Sequence, residues 1–202
     1  MPLIEANQFR SIYGRLADGR QDDDLVTLID AADAFMATYC GFPVNNAGSV
    51  SLATAEYTLY YGRPSRQPAV LCLGVFPVLS VSDVRVDAAR AYGTDTQLVE
   101  GTDFDVDNPC GKLGLLPGGS LGVWPVAWRA VRVTFTAGYD PTPPDLLPLT
   151  AFVIQALLDR PSFQQQAASA IGGSSITTTD LDQILPAAVR AALDAGYSLK
   201  GC

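Results

Sequence analysis

With 202 residues, 48% of them hydrophobic, and a positive mean hydropathy, the chain can bury a sizeable core, which excludes wholesale disorder. Its formal net charge of −8, from 21 acidic against 13 basic residues, argues against tight binding to DNA or to an anionic membrane. No apolar run approaches the roughly 20 residues that span a bilayer, and MPLIEANQFRS has no basic segment ahead of an apolar one, so a soluble product made in the cytoplasm is expected.

The first expected element is a short helix from about Glu5 to Tyr13, stopped near Gly14. In QDDDLVTLIDAADAFMATYCGFP, Leu25, Leu28, Ile29, Ala32, Phe35, Met36 and Tyr39 recur at spacings of three and four, which predicts an amphipathic helix of about four turns. Asp22, Asp23 and Asp24 offer an N-cap and favourable charge at its positive end, and Gly41 and Pro43 a stop. From about Ser49 to Gly138 the period changes to short stretches rich in Val, Leu, Thr, Tyr and Phe, separated by Gly, Pro, Asn or Asp. In RVTFTAG, Val131, Val133 and Phe135 alternate with Arg132, Thr134 and Thr136, as a strand with one wet face should. VSDVRVDAARAYGTDTQLVEGTDFDVD reads as two strands flanking a polar turn. The expected whole is an antiparallel β-region of five to seven strands.

Helix returns after TAGYDPTPPDL. Asp145 can cap it, Pro148 falls in the first turn, and Leu149, Phe152, Val153, Ala156 and Leu157 form the expected buried stripe. Residues 168–179 are small and polar and read as a mobile loop, followed by a last helix from about Pro186 to Ala195 and an exposed tail, Tyr197–Cys202. The fold class is therefore α+β: N-terminal helices (1–46) and C-terminal helices, loop and tail (140–202) form a small helical frame carrying an antiparallel β-rich insertion (47–139).

The motifs that could carry chemistry are weak. Gly118–Gly122, GGSLG, fits G-x-S-x-G, but the flanking Pro117 and Trp124–Pro125 leave no place for the helix a nucleophile elbow requires. The chain has no histidine to act as base. Asp103, Asp105 and Asp107 alternate like the opening of a calcium loop. The sixth and twelfth positions, however, hold Asn108 and Gly114, so a strand with its acidic face in solvent is the simpler expectation. Cys40, Cys72, Cys110 and Cys202 contain no CxxC pair, and without histidine zinc is not expected. GGSSITTTD lacks the lysine of a phosphate loop; Lys112 and Lys200 are the only lysines. Tyr57 and Tyr61 should share one strand face and Tyr60 take the other. With only Arg63 and Arg66 nearby in sequence, packing within the sheet or against a neighbouring copy is expected there rather than base stacking; Trp124 and Trp128 fall in a loop-to-strand region that could form an interface, with core burial the first expectation.

Four stretches taken in order, DDDLVTLIDAADAFMATYCGFPV, VFPVLSVSDVRVD, VRVTFTAGYDPTPPDL and ILPAAVRAAL, resemble the head–tail connector proteins, also called adaptor or head-completion proteins, of tailed double-stranded DNA phages and gene-transfer particles. They span most of residues 20–195. The resemblance implies a structural virion protein of the neck, assembled as a twelve-fold ring beneath the portal. Such a ring extends the DNA channel and docks the next neck or tail protein, a stopper or tail terminator. DNA would pass through the lumen without specific binding, no membrane is involved, and an acidic lining would repel phosphates.

No catalytic, cofactor-binding or metal residue is assigned, and no cofactor is expected. Leu181, Ile184, Leu185, Tyr197, Leu199, Ile171 and Ile176 are the expected contacts to the portal or a neighbouring copy. The alternatives are a histidine-free hydrolase or carbohydrate-active enzyme using Ser120, Asp103 or Asp105, and a virion decoration or binding module.

Overall fold

The computed structural model describes residues 4–14, 22–62, 69–159, 185 and 187–197. Two compact units emerge, one from the residues up to Thr54 together with those from Tyr139 onward, the other from Ala55–Gly138. The first is helical and the second β-rich, the α+β architecture expected from the pattern of the sequence.

The helical unit holds α1 (Ala6–Ile12), α2 (Asp22–Cys40), α3 (Leu146–Asp159) and α4 (Ala187–Gly196). No described helix is long and apolar enough to cross a membrane. On α2 the predicted stripe is the core face: Leu25, Ile29, Ala32, Phe35 and Met36 are buried, with Leu28 and Tyr39 at its margin. The three aspartates are not an N-cap. They are the first three residues of the helix itself, the turn in which acidic residues are favoured by the unpaired N–H groups at its positive end.

The end of α2 is a Schellman motif. Gly41 sits at φ 92°, its N–H donates to Thr38 O at 3.1 Å, and the next N–H, of Phe42, reaches back to Ala37 O at 3.0 Å. Phe42, brought inward by that turn, is buried.

Helix α3 differs from expectation in its register. Its buried residues are Leu146, Thr150, Ala151, Val153, Ile154 and Leu157, while Phe152 is 59% exposed and Leu149 and Ala156 lie at the edge. The segment LLPLTAFVIQALLD is apolar almost all round, so hydrophobic periodicity alone does not select a face. On α4, Val189 and Leu193 point inward one turn apart, and Tyr197 continues their row.

In the helical unit the chain leaves for the β-region and returns from it at adjacent points. Ala53 and Tyr139 form a β-bridge, and Tyr139 N–H donates to Leu52 O at 3.0 Å. The departing segment is fixed by the buried Asp33 of α2, which accepts hydrogen bonds from the Ser51 hydroxyl and, at 2.9 Å, from Leu52 N–H.

The β unit contains β1 (Ala55–Tyr61), β2 (Val70–Cys72), β3 (Val78–Val86), β4 (Phe104–Asp107), β5 (Lys112–Leu115) and β6 (Val131–Ala137) in two antiparallel three-stranded sheets, ordered β1-β6-β3 and β2-β5-β4. Central β6 alternates as predicted, with Val131, Val133, Phe135 and Ala137 buried. Tyr57 stacks on its register partner Phe135 at 5.6 Å, and the Tyr61 hydroxyl donates to Leu73 O at 2.7 Å.

Two features depart from expectation here. Strands β3 and β4 are not a hairpin: after the single bridge Arg85↔Gln97 the chain departs, and β4 joins the other sheet. Its partner there, β5, has no strand signature of its own, because KLGL is four residues long, contains glycine and has no β-branched side chain.

Candidate functional site

Two of the residues of the hydrolase and calcium readings, Asp103 and Ser120, meet in one structural knot. Asp103 is buried and accepts from the Ser120 hydroxyl and Ser120 N–H, both at 2.7 Å, and from Val99 N–H at 2.8 Å. Those donors, the Ser120 hydroxyl foremost, hold its carboxyl below the usual carboxylate range. A carboxylate so stabilised is a poor base, and it ties the Gly118–Gly122 turn down rather than activating Ser120. The acidic strand face is therefore shorter than expected: Asp105 and Asp107 are exposed and Asp103 is not. Among the described residues, no three His, Cys, Asp or Glu side chains converge as a metal site.

Beyond that knot, Trp124 is buried, and its indole N–H donates to Ala69 O at 3.2 Å. Pinned at Ser120 and Trp124, the loop before β6 carries three apolar side chains in solvent: Val123 at 56%, Val126 at 70% and Trp128 at 68% exposure. Trp128 thus departs from the burial expected for it, although burial of Trp124 agrees.

Trp128 opens an arginine and aromatic cluster. The Arg129 guanidinium lies 4.2 Å from the Tyr60 ring centroid and 5.4 Å from that of Trp128. Arg90 lies 5.8 Å from the Trp128 ring, Arg132 lies 5.0 Å from that of Tyr92, and the Tyr60 and Tyr92 rings are 5.7 Å apart.

The cluster is held from several sides. The Tyr92 hydroxyl donates to Arg129 O, and Arg85 Nη1 donates to Tyr92 O at 2.6 Å. Asp83 receives both Arg85 and Arg132 at 2.9 Å. Its partial burial opposes ionisation, but the hydrogen bonds from Arg132 and Arg85 outweigh that and keep its carboxyl below the ordinary range. Asp87 accepts from the N–H groups of Ala89, Ala91 and Tyr92, folding the loop that presents Arg90.

Among the described residues, the non-glycine positions with positive φ are Arg90, Tyr92 and Arg129, all in this cluster. Each such conformation costs on the order of 1–3 kcal/mol, and strain of this kind persists where the surroundings over-determine it. Gly62 supplies the space: a Cβ there would lie 2.2 Å from Arg129 N and 2.5 Å from Trp128 Cα.

Counting only local neighbours gives Tyr60 just Arg63 and Arg66, which lie outside the described residues. In the fold its partners come from ARAY and AWRAVR, where arginine and aromatic residues interleave, and that interleaving is the signal the sequence offers.

Of the seven expected contact residues, Ile171, Ile176, Leu181, Ile184 and Leu199 lie outside the described residues. Leu185 and Tyr197 are buried within the helical unit. Tyr197 packs edge-on against Tyr139 at 5.2 Å and hydrogen-bonds Asp145; burial, then that carboxylate, raises its hydroxyl pKa. Asp145, expected as a cap, is thus engaged by Tyr197. In this conformation Leu185 and Tyr197 are packing residues of their own subunit.

The fold is similar to that of a chain in "Neck of empty GTA particle computed with C6 symmetry", with a TM-score of 0.56 and 16% identity over 78% of this chain and 79% of that one. A chain of "Virion of native gene transfer agent (GTA) particle" gives a TM-score of 0.48 and 20% identity over 91% and 87%. No curated protein matches the sequence. The family model for "Head completion protein" matches residues 2–195, nearly the whole length, and the chain belongs to that family.

Proposed function

We propose that the chain is a structural subunit of the particle neck, without catalysis of its own. It forms a ring beneath the portal, twelve copies being what the family resemblance implies, extends the DNA channel, and docks the next neck or tail protein. The observation that carries this reading is the pinned loop before β6. The hydrogen bonds of Ser120 to the buried Asp103, and the buried Trp124, hold Val123, Val126 and Trp128 out in water, which is unfavourable for a lone subunit and serves contact with another protein. Asp103 and Ser120, two of the residues that could have been catalytic, are instead spent on holding that loop. An overall charge of −8 suits a conduit past which DNA slides without sticking.

Cryo-electron microscopy of particles carrying a tagged copy of the chain tests the reading. Ring density at the vertex where the tail attaches is expected; tag density elsewhere on the capsid, or turnover of a substrate by the purified chain, overturns it.

A further inference from the structure

The arginine and aromatic cluster contains more positive charge than its own acids neutralise. Arg85 and Arg132 share Asp83, whereas Arg90 and Arg129 are exposed and, among the described residues, have no carboxylate within ion-pair distance. Two unneutralised guanidiniums beside an exposed tryptophan have the composition of a protein-contact hot spot, in which Trp, Tyr and Arg are over-represented. Nucleic acid fits less well, since phosphates give Val123 and Val126 nothing to pack against and two cations are few for a chain of net charge −8.

The same β unit carries a complementary surface. Strand β4 is a sheet edge: β5 is its strand partner, and on the other side the bridge Glu100↔Phe104 occupies its first residue, ahead of Asp105 and Asp107. Asp105 and Asp107 project from one of its faces into solvent, and Val99, in the preceding turn, is 57% exposed. Asp107 lies across from Lys112 on β5, but Asp105 lies across from Gly114, which has no side chain to cover it.

We infer that the Arg90, Arg129 and Trp128 patch of one copy receives the Asp105 and Asp107 face of β4 from the adjacent copy, with Val99 against the exposed loop valines. Such a contact joins two different faces, the heterologous geometry that a ring requires. Charge complementarity of this kind sets register and partner choice more than raw affinity. The inference rests on the ring reading above.

The test is a charge swap scored by incorporation into particles, with thermal melts of the isolated variants as a folding control. R90E/R129E and D105R/D107R should each melt like the wild-type chain yet lower its copy number per particle by about tenfold or more. The four substitutions combined should restore it. Wild-type chain present in the neck, with both charge variants incorporated normally, overturns the contact alone. So does loss without rescue by the combination, which points to the portal as the acidic partner, or normal incorporation with altered genome retention, which points to DNA. Wild-type chain missing from the neck overturns the ring reading and this contact with it.

A second pair removes dependence on the charge variants folding. W128C/D105C, in a C110S background, should give a ladder of disulfide-linked copies when assembled particles are oxidised with copper phenanthroline. Bands no larger than one copy, from particles that contain the variant, count against the contact.

Discussion

Asp33 is a buried carboxyl whose environment opposes its charge. It is 5% exposed, and burial pushes its carboxyl up to about 6, against the hydrogen bonds from Ser51 and Leu52 that pull it down. The folded state therefore holds this proton more tightly than the unfolded chain. The stability it brings is fully present below the ordinary carboxylate range and is lost as pH rises through about 6. A shift of that size corresponds to about 3 kcal/mol. Urea unfolding midpoints should accordingly rise as the pH is lowered from about 7 towards about 5.

The Asp33→Asn variant, which can still accept from Leu52 and donate to Ser51, should flatten most of that slope. Asp30, one turn earlier and also raised by burial, retains a part. Asp83, Asp87 and Asp103 are held below the usual range and titrate outside this window. An undiminished slope in the Asn variant would remove the assignment. Gly62 makes a steric prediction instead. Its nearest atoms are backbone, which cannot swing away, so Gly62→Ala should lower the melting temperature and raise the solvent exposure of Trp128 seen in its fluorescence.

At the scale of elements, what the sequence reveals depends on contrast between faces. On helix α2 spacings of three and four pick out the centre of the core face, from Leu25 to Met36, though they put Leu28 and Tyr39 on it and pass over the buried Asp33 and Cys40; β6 is legible with period two. Helix α3 lacks that contrast, and its buried face is set by its neighbours in the unit. Strand β5 exists because β2 and β4 flank it, a tertiary fact no four-residue window contains. The candidate site is the least legible part: Tyr60, Arg90 and Arg129 lie far apart in sequence, and only the β1-β6-β3 pairing gathers them.

The register of α3 can be checked by a pair of substitutions. Ile154→Ala removes a fully buried side chain and should cost about 2–5 kcal/mol, whereas Phe152→Ala, at an exposed position, should change stability by less than about 0.5 kcal/mol. Equal losses would mean that the helix buries the face expected from the sequence. Exposed as it is, Phe152 is available for contact with another protein, a role the loss of particle incorporation in a folded Phe152→Asp variant would support.

At the scale of the whole molecule, a helical unit interrupted in sequence by the β unit makes a specific demand on the connections. The helical unit draws on residues that are remote in sequence, α2 before the β unit and α3 and α4 after it, and its packing must not need the intervening chain. Contacts inside that unit already hold the two ends in place: the Ala53–Tyr139 bridge, the Tyr139 to Leu52 hydrogen bond, and the Asp33 anchor on Ser51 and Leu52. A further long-range tie, the Tyr39 hydroxyl donating to Asp194 at 2.8 Å, joins α2 to α4. Closing so short a gap costs little chain entropy, since loop cost grows only with the logarithm of length. Replacing residues 55–138 by a flexible linker of about four Gly and Ser residues should therefore leave a helical protein with a single cooperative melt. The variant should also lose incorporation into particles, because it lacks the pinned loop, the arginine cluster and the β4 edge. A non-cooperative, unfolded product would mean that the β unit supplies part of the helical core, and the division into frame and insertion would have to be abandoned.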